Sequence, residues 1–308
     1  MTNPRFAGAT LSISIIGLVW AGAPQPAAAQ NYAQVFASVV NENGIPALNL
    51  TANDFEFKMD GQRLPLAAVG LDSTQPKIAI IVDNGDVMYK ANANSAIQSG
   101  LESFLDTLDP GPEMSLFTVA PNPRRLQDFT ASRSELQRSV QNVIAMENEG
   151  PRLMDGLFET WDRRFEDNDP WPVFVLVVAD GNDNSSYVTR NRYEAFIDEL
   201  LAQGVTVHAV VMQEGTYGAL GERTAQYADN LARNTGGLFL TVNAPSALPE
   251  SLTQLAEHMN YHTYLISSRY HIVHEIPERI GDVSVDLTPS LTQAGYTLQL
   301  FRDRRLPE

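Results

Sequence analysis

The run Val173-Phe174-Val175-Leu176-Val177-Val178 constrains this chain more than any other feature. An unbroken apolar run rich in β-branched residues suits a strand covered on both faces, which requires a sheet with layers on each side. Ile78-Ala79-Ile80-Ile81-Val82 has the same character. Around these runs the period changes to that of amphipathic helices. Ile97, Leu101, Phe104 and Leu105 mark one helix, stopped by Pro110, and Ser134 to Ile144 and Leu153 to Phe165 predict two more. Tyr193 to Leu201, Thr224 to Arg233 and Leu248 to Met259 predict a further three. Strands are expected at Met114 to Val119, Pro172 to Ala179, Val205 to Met212 and Leu238 to Val242. Alternation of this kind implies an α/β fold: a doubly wound, mostly parallel sheet with helices on both faces.

The segments flanking this pattern read as β. Phe55, Phe57 and Met59 alternate with polar residues, and Asp60-Gly61 is a strong hairpin turn before Leu64 and Leu66. Asp72 to Pro76 reads as a linker, and β patterning returns at Val283 to Leu287 and Tyr296 to Phe301. Each flanking segment is too small to be stable alone, so the two are expected to form one small β module or to pack on the α/β domain. The expected boundaries are residues 30–76 for the N-terminal β segment, 77–260 for the α/β domain and 261–308 for the C-terminal β segment.

Residues 1–29 have the layout of a secretory signal. Arg5 precedes the apolar run Leu11 to Trp20, and Ala27-Ala28-Ala29 offers a cleavage site before Gln30. No later apolar stretch is long enough to span a membrane, so no integral membrane segment is expected after cleavage. The chain has no cysteine, which excludes disulfides and thiolate chemistry. Its 37 acidic and 21 basic residues give a net charge of −16, which argues against nucleic acid or anionic lipid as the main partner. A periplasmic, secreted or cell-surface location fits these features.

In an open α/β sheet, ligands bind outside the carboxyl ends of the strands. Two apolar strands end there in Asp83-Asn84-Gly85-Asp86-Val87 and Asp180-Gly181-Asn182-Asp183-Asn184. Leu126 to Thr130 and Leu153-Met154-Asp155-Gly156-Leu157 lie between them, and Thr235-Gly236-Gly237 comes after. With Leu50 to Phe55 and Met59-Asp60-Gly61 ahead of them, these tracts resemble the von Willebrand factor A domain. The likeness is to its bacterial exported subfamily, whose members carry a short β segment before the domain. It extends over about Val35 to Leu265.

The resemblance implies a metal-ion-dependent adhesion site, in which Asp-x-Ser-x-Ser, a Thr and a second Asp hold a magnesium ion. Asp83 and Asp180 match the two acidic positions. The hydroxyl positions fall on Gly85, Val87 and Pro151, none of which has a side-chain oxygen. A hard cation needs several convergent oxygens, so no cofactor is expected. A rebuilt site for magnesium or calcium would need Asp86 or Asp155 as substitute ligands. Without a cation, clustered carboxylates are expected to raise one another's pKa or to meet a basic side chain. The expected protein-contact surface comprises Asp83, Asn84, Gly85, Asp86, Pro151, Asp180, Asn182 and Asp183.

Four histidines, His258, His262, His271 and His274, fall close in sequence. His258 and His262 share a helix face, but Met259 stands where a zinc protease needs glutamate. His271 and His274 should lie on opposite strand faces. Ordinary hydrogen-bonded histidines account for this pattern. Arg124-Arg125 and Arg163-Arg164 read as solvated or internally paired. No nucleophile elbow or phosphate loop is present, so no catalytic residue is expected. The function expected is recognition of a protein partner without metal. Cation-dependent adhesion and a structural role in an envelope assembly remain as alternatives, and metal-dependent hydrolysis has the least support.

Overall fold

The computed structural model describes residues 31–166, 169, 171–186, 188–213, 223–276 and 283–301. The expected signal segment lies outside these residues, as does the basic stretch at 302–305. The chain divides into two compact units: residues 31–73 with 265–301, and Thr74–Tyr264.

The first unit begins with β1 (Asn31–Val40), β2 (Phe55–Met59), β3 (Gln62–Leu64) and β4 (Leu66–Leu71). The second contains β5 (Lys77–Val82), α1 (Asp86–Lys90), α2 (Asn94–Thr107), β6 (Glu113–Thr118), β7 (Arg124–Thr130), α3 (Arg133–Val140) and α4 (Leu153–Arg164). It continues through β8 (Pro172–Ala179), α5 (Arg190–Ala202), β9 (Thr206–Met212), α6 (Thr224–Thr235), β10 (Phe239–Val242) and α7 (Leu248–Ser267). The chain then returns through β11 (Tyr270–Ile276), β12 (Val283–Leu287), α8 (Pro289–Gln293) and β13 (Thr297–Phe301).

In the first unit β1 lies between β13 and β11, and β4 extends that sheet, while β12, β2 and β3 form a second one. The two ends of the chain thus share their strands. Val35, Ala37 and Val39 of β1 pack with Phe55, Phe57, Tyr270, Ile272, Val285 and Leu287. The Tyr270 hydroxyl donates to Ala47 O at 2.6 Å and accepts from Leu50 N at 2.8 Å, fastening the loop after β1. At the β2–β3 turn Asp60 and Gly61 both have positive φ, 50° and 76°, as a primed hairpin turn requires.

The second unit holds a six-stranded sheet in the order β10-β9-β8-β5-β6-β7. All neighbours are parallel except β6 and β7. Ala79 and Ile81 face a core built with Leu157 of α4, Phe196 of α5 and Leu231 of α6. Ile78 and Ile80 alternate to the other face. There α2 and α7 approach closely at Gly100, where a Cβ would lie 2.8 Å from Leu252 Cδ1. The doubly wound α/β architecture expected from the apolar runs is therefore present, and the antiparallel sheets of the first unit are separate from it.

Four details differ from expectation. Helix α3 stops at Val140, and Asn142 N and Val143 N close tight turns onto Ser139 O and Val140 O. Ile144 therefore lies in a loop. Helix α7 runs two turns beyond Met259, to Ser267, because Asn260 to Ser267 contains neither glycine nor proline. β7 has no apolar run because it is an edge strand with charged residues facing out. The C-terminal β segment also contains the short helix α8, which starts at Pro289, where a helix does not need the missing N–H.

Candidate functional site

The strand order reverses at β5, between β8 and β6. Loops leaving the carboxyl ends of β5 and β8 therefore stand at the position where such sheets take ligands. Asp83 follows β5, Asp180 follows β8, and the N-terminus of α4 lies beside both.

Asp83 is 1% exposed. Its carboxylate accepts from Gly85 N at 2.7 Å and from Ala179 N at 3.2 Å, linking the two loops. Burial pushes its pKa up to about 6 against those two bonds, and the charge of Asp183 adds to the rise. Asn84 is also buried. Its Oδ1 accepts from Ala120 N at 2.9 Å, and its Nδ2 donates to Ile144 O at 3.0 Å.

The chain from Val143 to Pro151 is fastened along this edge. Gln98 Nε2 donates to Val143 O at 3.1 Å, Ala145 N to Asn94 Oδ1 at 2.6 Å, and Met146 N to Asn84 O at 2.8 Å. Asn148 N donates to Asp86 Oδ1 at 2.9 Å, and Asp86 N returns a bond to Glu149 O at 2.7 Å. Pro151 O accepts from Asn184 N at 2.7 Å. This packing leaves no room for a side chain at residue 85. A Cβ on Gly85 would lie 2.8 Å from Glu149 O and 3.0 Å from Pro151 Cδ.

Each remaining aspartate of the edge is held by a partner from this chain. Asp180 Oδ1 accepts from Arg223 Nε at 2.6 Å, while Arg223 Nη2 donates to Asp180 O at 2.9 Å. Asn182 forms a backbone bridge with Arg223. Asp86 pairs with Lys90 at 2.5 Å, and that bond, with the one from Asn148 N, lowers its pKa. Asp183 accepts from Leu153 N at 2.7 Å, Met154 N at 3.4 Å and Ser185 Oγ at 3.0 Å, so it caps α4 from another loop. The residue at the N-cap position itself, Arg152, contributes no side-chain bond there. Burial raises the pKa of Asp183. Asp155 Oδ2 accepts from Ser186 N at 2.9 Å and lies 3.7 Å from Arg152.

These donors do not fit a hexacoordinate hard cation. Gly85, Val87 and Pro151 supply no hydroxyl, a guanidinium holds Asp180, and helix-capping bonds hold Asp183. Among the described residues, no group of three or more His, Asp or Glu side chains is arranged to hold a metal ion. Asp86 and Asp155, the substitute ligands, point their oxygens at Lys90 and backbone N–H of residue 148, and at backbone N–H of residue 186.

No family model and no curated protein matches the sequence. Solved structures resemble its fold. A von Willebrand factor type A protein from Catenulispora acidiphila shares 15% identity at TM-score 0.48, over 82% of this chain and 73% of that one. The vWF domain of the type V pili tip protein Mfa5 from Porphyromonas gingivalis shares 14% at TM-score 0.44, over 62% and 96%. Proximal thread matrix protein 1 of the mussel byssus shares 15% at TM-score 0.48 over 63% of this chain. This chain spans about half of the mussel protein, 49%. Several of these structural neighbours are von Willebrand factor A domains. That likeness concerns the fold, and the chemistry of the edge rests on this chain's own residues.

The tract Thr235-Gly236-Gly237 has a local cause here. Gly236 ends α6 in the left-handed conformation, φ 72°, and a Cβ on Gly237 would collide with Val207 O. The four histidines near the C-terminus separate. His271 stacks on Phe36 and His274 on Phe57 in the first unit, on opposite faces of β11. His258 and His262 instead adjoin His208 of β9, with ring centroids 5.6 Å (His208–His258) and 6.2 Å (His258–His262) apart. That meeting was not legible in the sequence, because His208 lies inside a largely apolar strand. It is 2% exposed, its Nδ1 accepts from Leu238 N at 2.9 Å, and burial first, then His258 and His262, pull its pKa down to about 3. The arginine doublets are largely paired: Arg125 with Asp128, Arg163 with Glu159 at 3.1 Å, and Arg164 with Asp128 at 3.8 Å.

Proposed function

We propose that this chain is an exported, non-catalytic protein-binding module whose contact surface is the loop edge around Asp83, Pro151 and Asp180, and whose binding needs no divalent cation. The observation that carries this reading is the Asp180–Arg223 pair, 2.6 Å between Nε and Oδ1. A fixed positive charge sits on the carboxylate that a metal-dependent site would give to its ion. With Asp86 on Lys90 and Asp183 on the α4 N-terminus, the aspartates of the edge are held in place by its own chain. A surface ordered before contact loses less entropy on binding, which favours recognition. No helix among the described residues is long and apolar enough to cross a membrane. Export rests on the Arg5, Leu11 to Trp20 and Ala27-Ala28-Ala29 pattern.

The test is capture of envelope proteins on the immobilised mature chain, with and without chelator, beside a variant carrying Asn182→Arg. The same bound protein should be retained in chelator and lost with the variant. Loss in chelator alone would return the chain to cation-dependent adhesion. Retention by the variant would leave the edge without a role in binding.

A further inference from the structure

The loop after α3 shows two large apolar side chains to solvent. Ile144 is 58% exposed and Met146 39%, while Val143 and Ala145 between and beside them are buried. The alternation means that the core is already served by residues 143 and 145, so burial does not require apolar residues at 144 and 146. Nor is the exposure a sign of looseness. The backbone here is tied down at residues 143, 144, 145, 146, 148 and 149 by the bonds to Gln98, Asn84, Asn94 and Asp86 described above. Two apolar side chains on a fastened, exposed backbone are the arrangement of a preorganised contact.

The charge around them selects the occupant. From Gln141 to Pro151 the only ionisable residues are Glu147 and Glu149, and Glu147 is exposed. Lys90, the cation adjoining this loop through Asp86, is engaged with that carboxylate. A second copy of this chain would bring glutamates against glutamates, and the net charge of −16 opposes both self-association and anionic lipid. We propose that the Ile144–Glu149 loop is the docking surface for a basic, apolar segment of a partner protein, in which aliphatic side chains cover Ile144 and Met146 while lysine or arginine meets Glu147. The proposal rests on the reading of the edge as a protein-binding surface and specifies the chemistry of what binds there.

The probe is a short labelled peptide of alternating lysine and leucine, with glutamate–leucine and lysine–serine counterparts, titrated into the full chain. The lysine–leucine peptide should bind saturably, and each counterpart at least about tenfold more weakly. The double variant Ile144→Ser, Met146→Ser should weaken the lysine–leucine peptide about tenfold with an unchanged thermal midpoint, and Glu147→Lys should do so independently. Binding that survives both variants would reduce the effect to general attraction by an acidic protein and overturn the proposal, as would equal binding of the glutamate–leucine peptide. A photo-crosslinker at residue 146 or 182 separates the two levels of the argument. Cross-linking at 146 supports the loop. Cross-linking at 182 alone keeps the edge as a binding surface but removes the loop, and capture at neither position, with the peptide still bound, overturns both.

Discussion

Arg223 binds Asp180 at two points, its Nε to the carboxylate at 2.6 Å and its Nη2 to the backbone carbonyl at 2.9 Å. Both side chains are mostly buried, with 16% and 23% exposed. The pair therefore lies between a surface ion pair, worth little, and a buried one, costly to break. Arg223→Met should destabilise the chain by about 1–2 kcal/mol in chemical denaturation. The unmodified protein should show no saturable magnesium binding in calorimetry at millimolar ion, and no shift in thermal midpoint, since linkage needs affinity for the folded state. Tight binding by the wild type would overturn the cation-independent reading.

Restoring a hydroxyl at residue 85 should not restore a metal site. A Cβ there meets a backbone oxygen, Glu149 O at 2.8 Å, rather than a side chain that could turn away. Gly85→Ser should cost about 1–3 kcal/mol, the usual range for overpacking. A variant as stable as wild type would mean that the 146–151 backbone yields easily.

Asp183 caps α4 by accepting from Leu153 N and Met154 N. Asp183→Ala should lower stability by about 0.5–2 kcal/mol, and Asp183→Asn, which keeps an acceptor oxygen, by less. Equal losses in the two variants would show that the charge, not the acceptor, carries the effect.

Acid stability should reflect two buried groups working in opposite directions. Asp83 has its pKa raised from 3.8 to about 6, so its contribution is full below 3.8 and is lost as pH rises through about 6. His208 has its pKa lowered from 6.5 to about 3, so its contribution is full above 6.5 and is lost as pH falls toward 3. Between about pH 4 and 6 the two partly cancel. Denaturation midpoints of Asp83→Asn should climb more steeply with pH than those of wild type across that window. Those of His208→Asn should be flatter or fall. Parallel curves for all three proteins would show that neither group titrates as its burial requires.

Removal of residues 265–308 takes away β11 and β13, the two neighbours of β1, and β12, the partner of β2. Val35, Val39, Phe55 and Phe57 then lose their cover. The shortened chain should aggregate or bind a hydrophobic dye that the full chain does not. A monomeric, dye-free product with an unchanged melting curve would contradict a shared β unit.

The sequence by itself determined whatever depends on neighbours along the chain. Val173 to Val178 read as a doubly covered strand from its length and β-branched residues, and β8 runs from Pro172 to Ala179 as the apolar run does. Asp60-Gly61 demanded a primed turn, and the residue types at Gly85, Val87 and Pro151 already ruled out hydroxyl ligands. Even Asp83 and Asp180 were legible as edge residues, because each ends an apolar run. Tertiary structure alone decided the partners. Arg223 reaches Asp180 across 43 residues, Asp183 caps a helix 30 residues earlier in the chain, and His208 meets His258 across an intervening helix and strand. Periodicity reports which way a side chain faces within its own element and carries no information about which distant segment lies opposite. Ile144 shows the limit most clearly. An apolar residue at the end of a helical pattern reads as core, but Val140 ends the helix, and the fastened backbone that follows turns residue 144 to solvent.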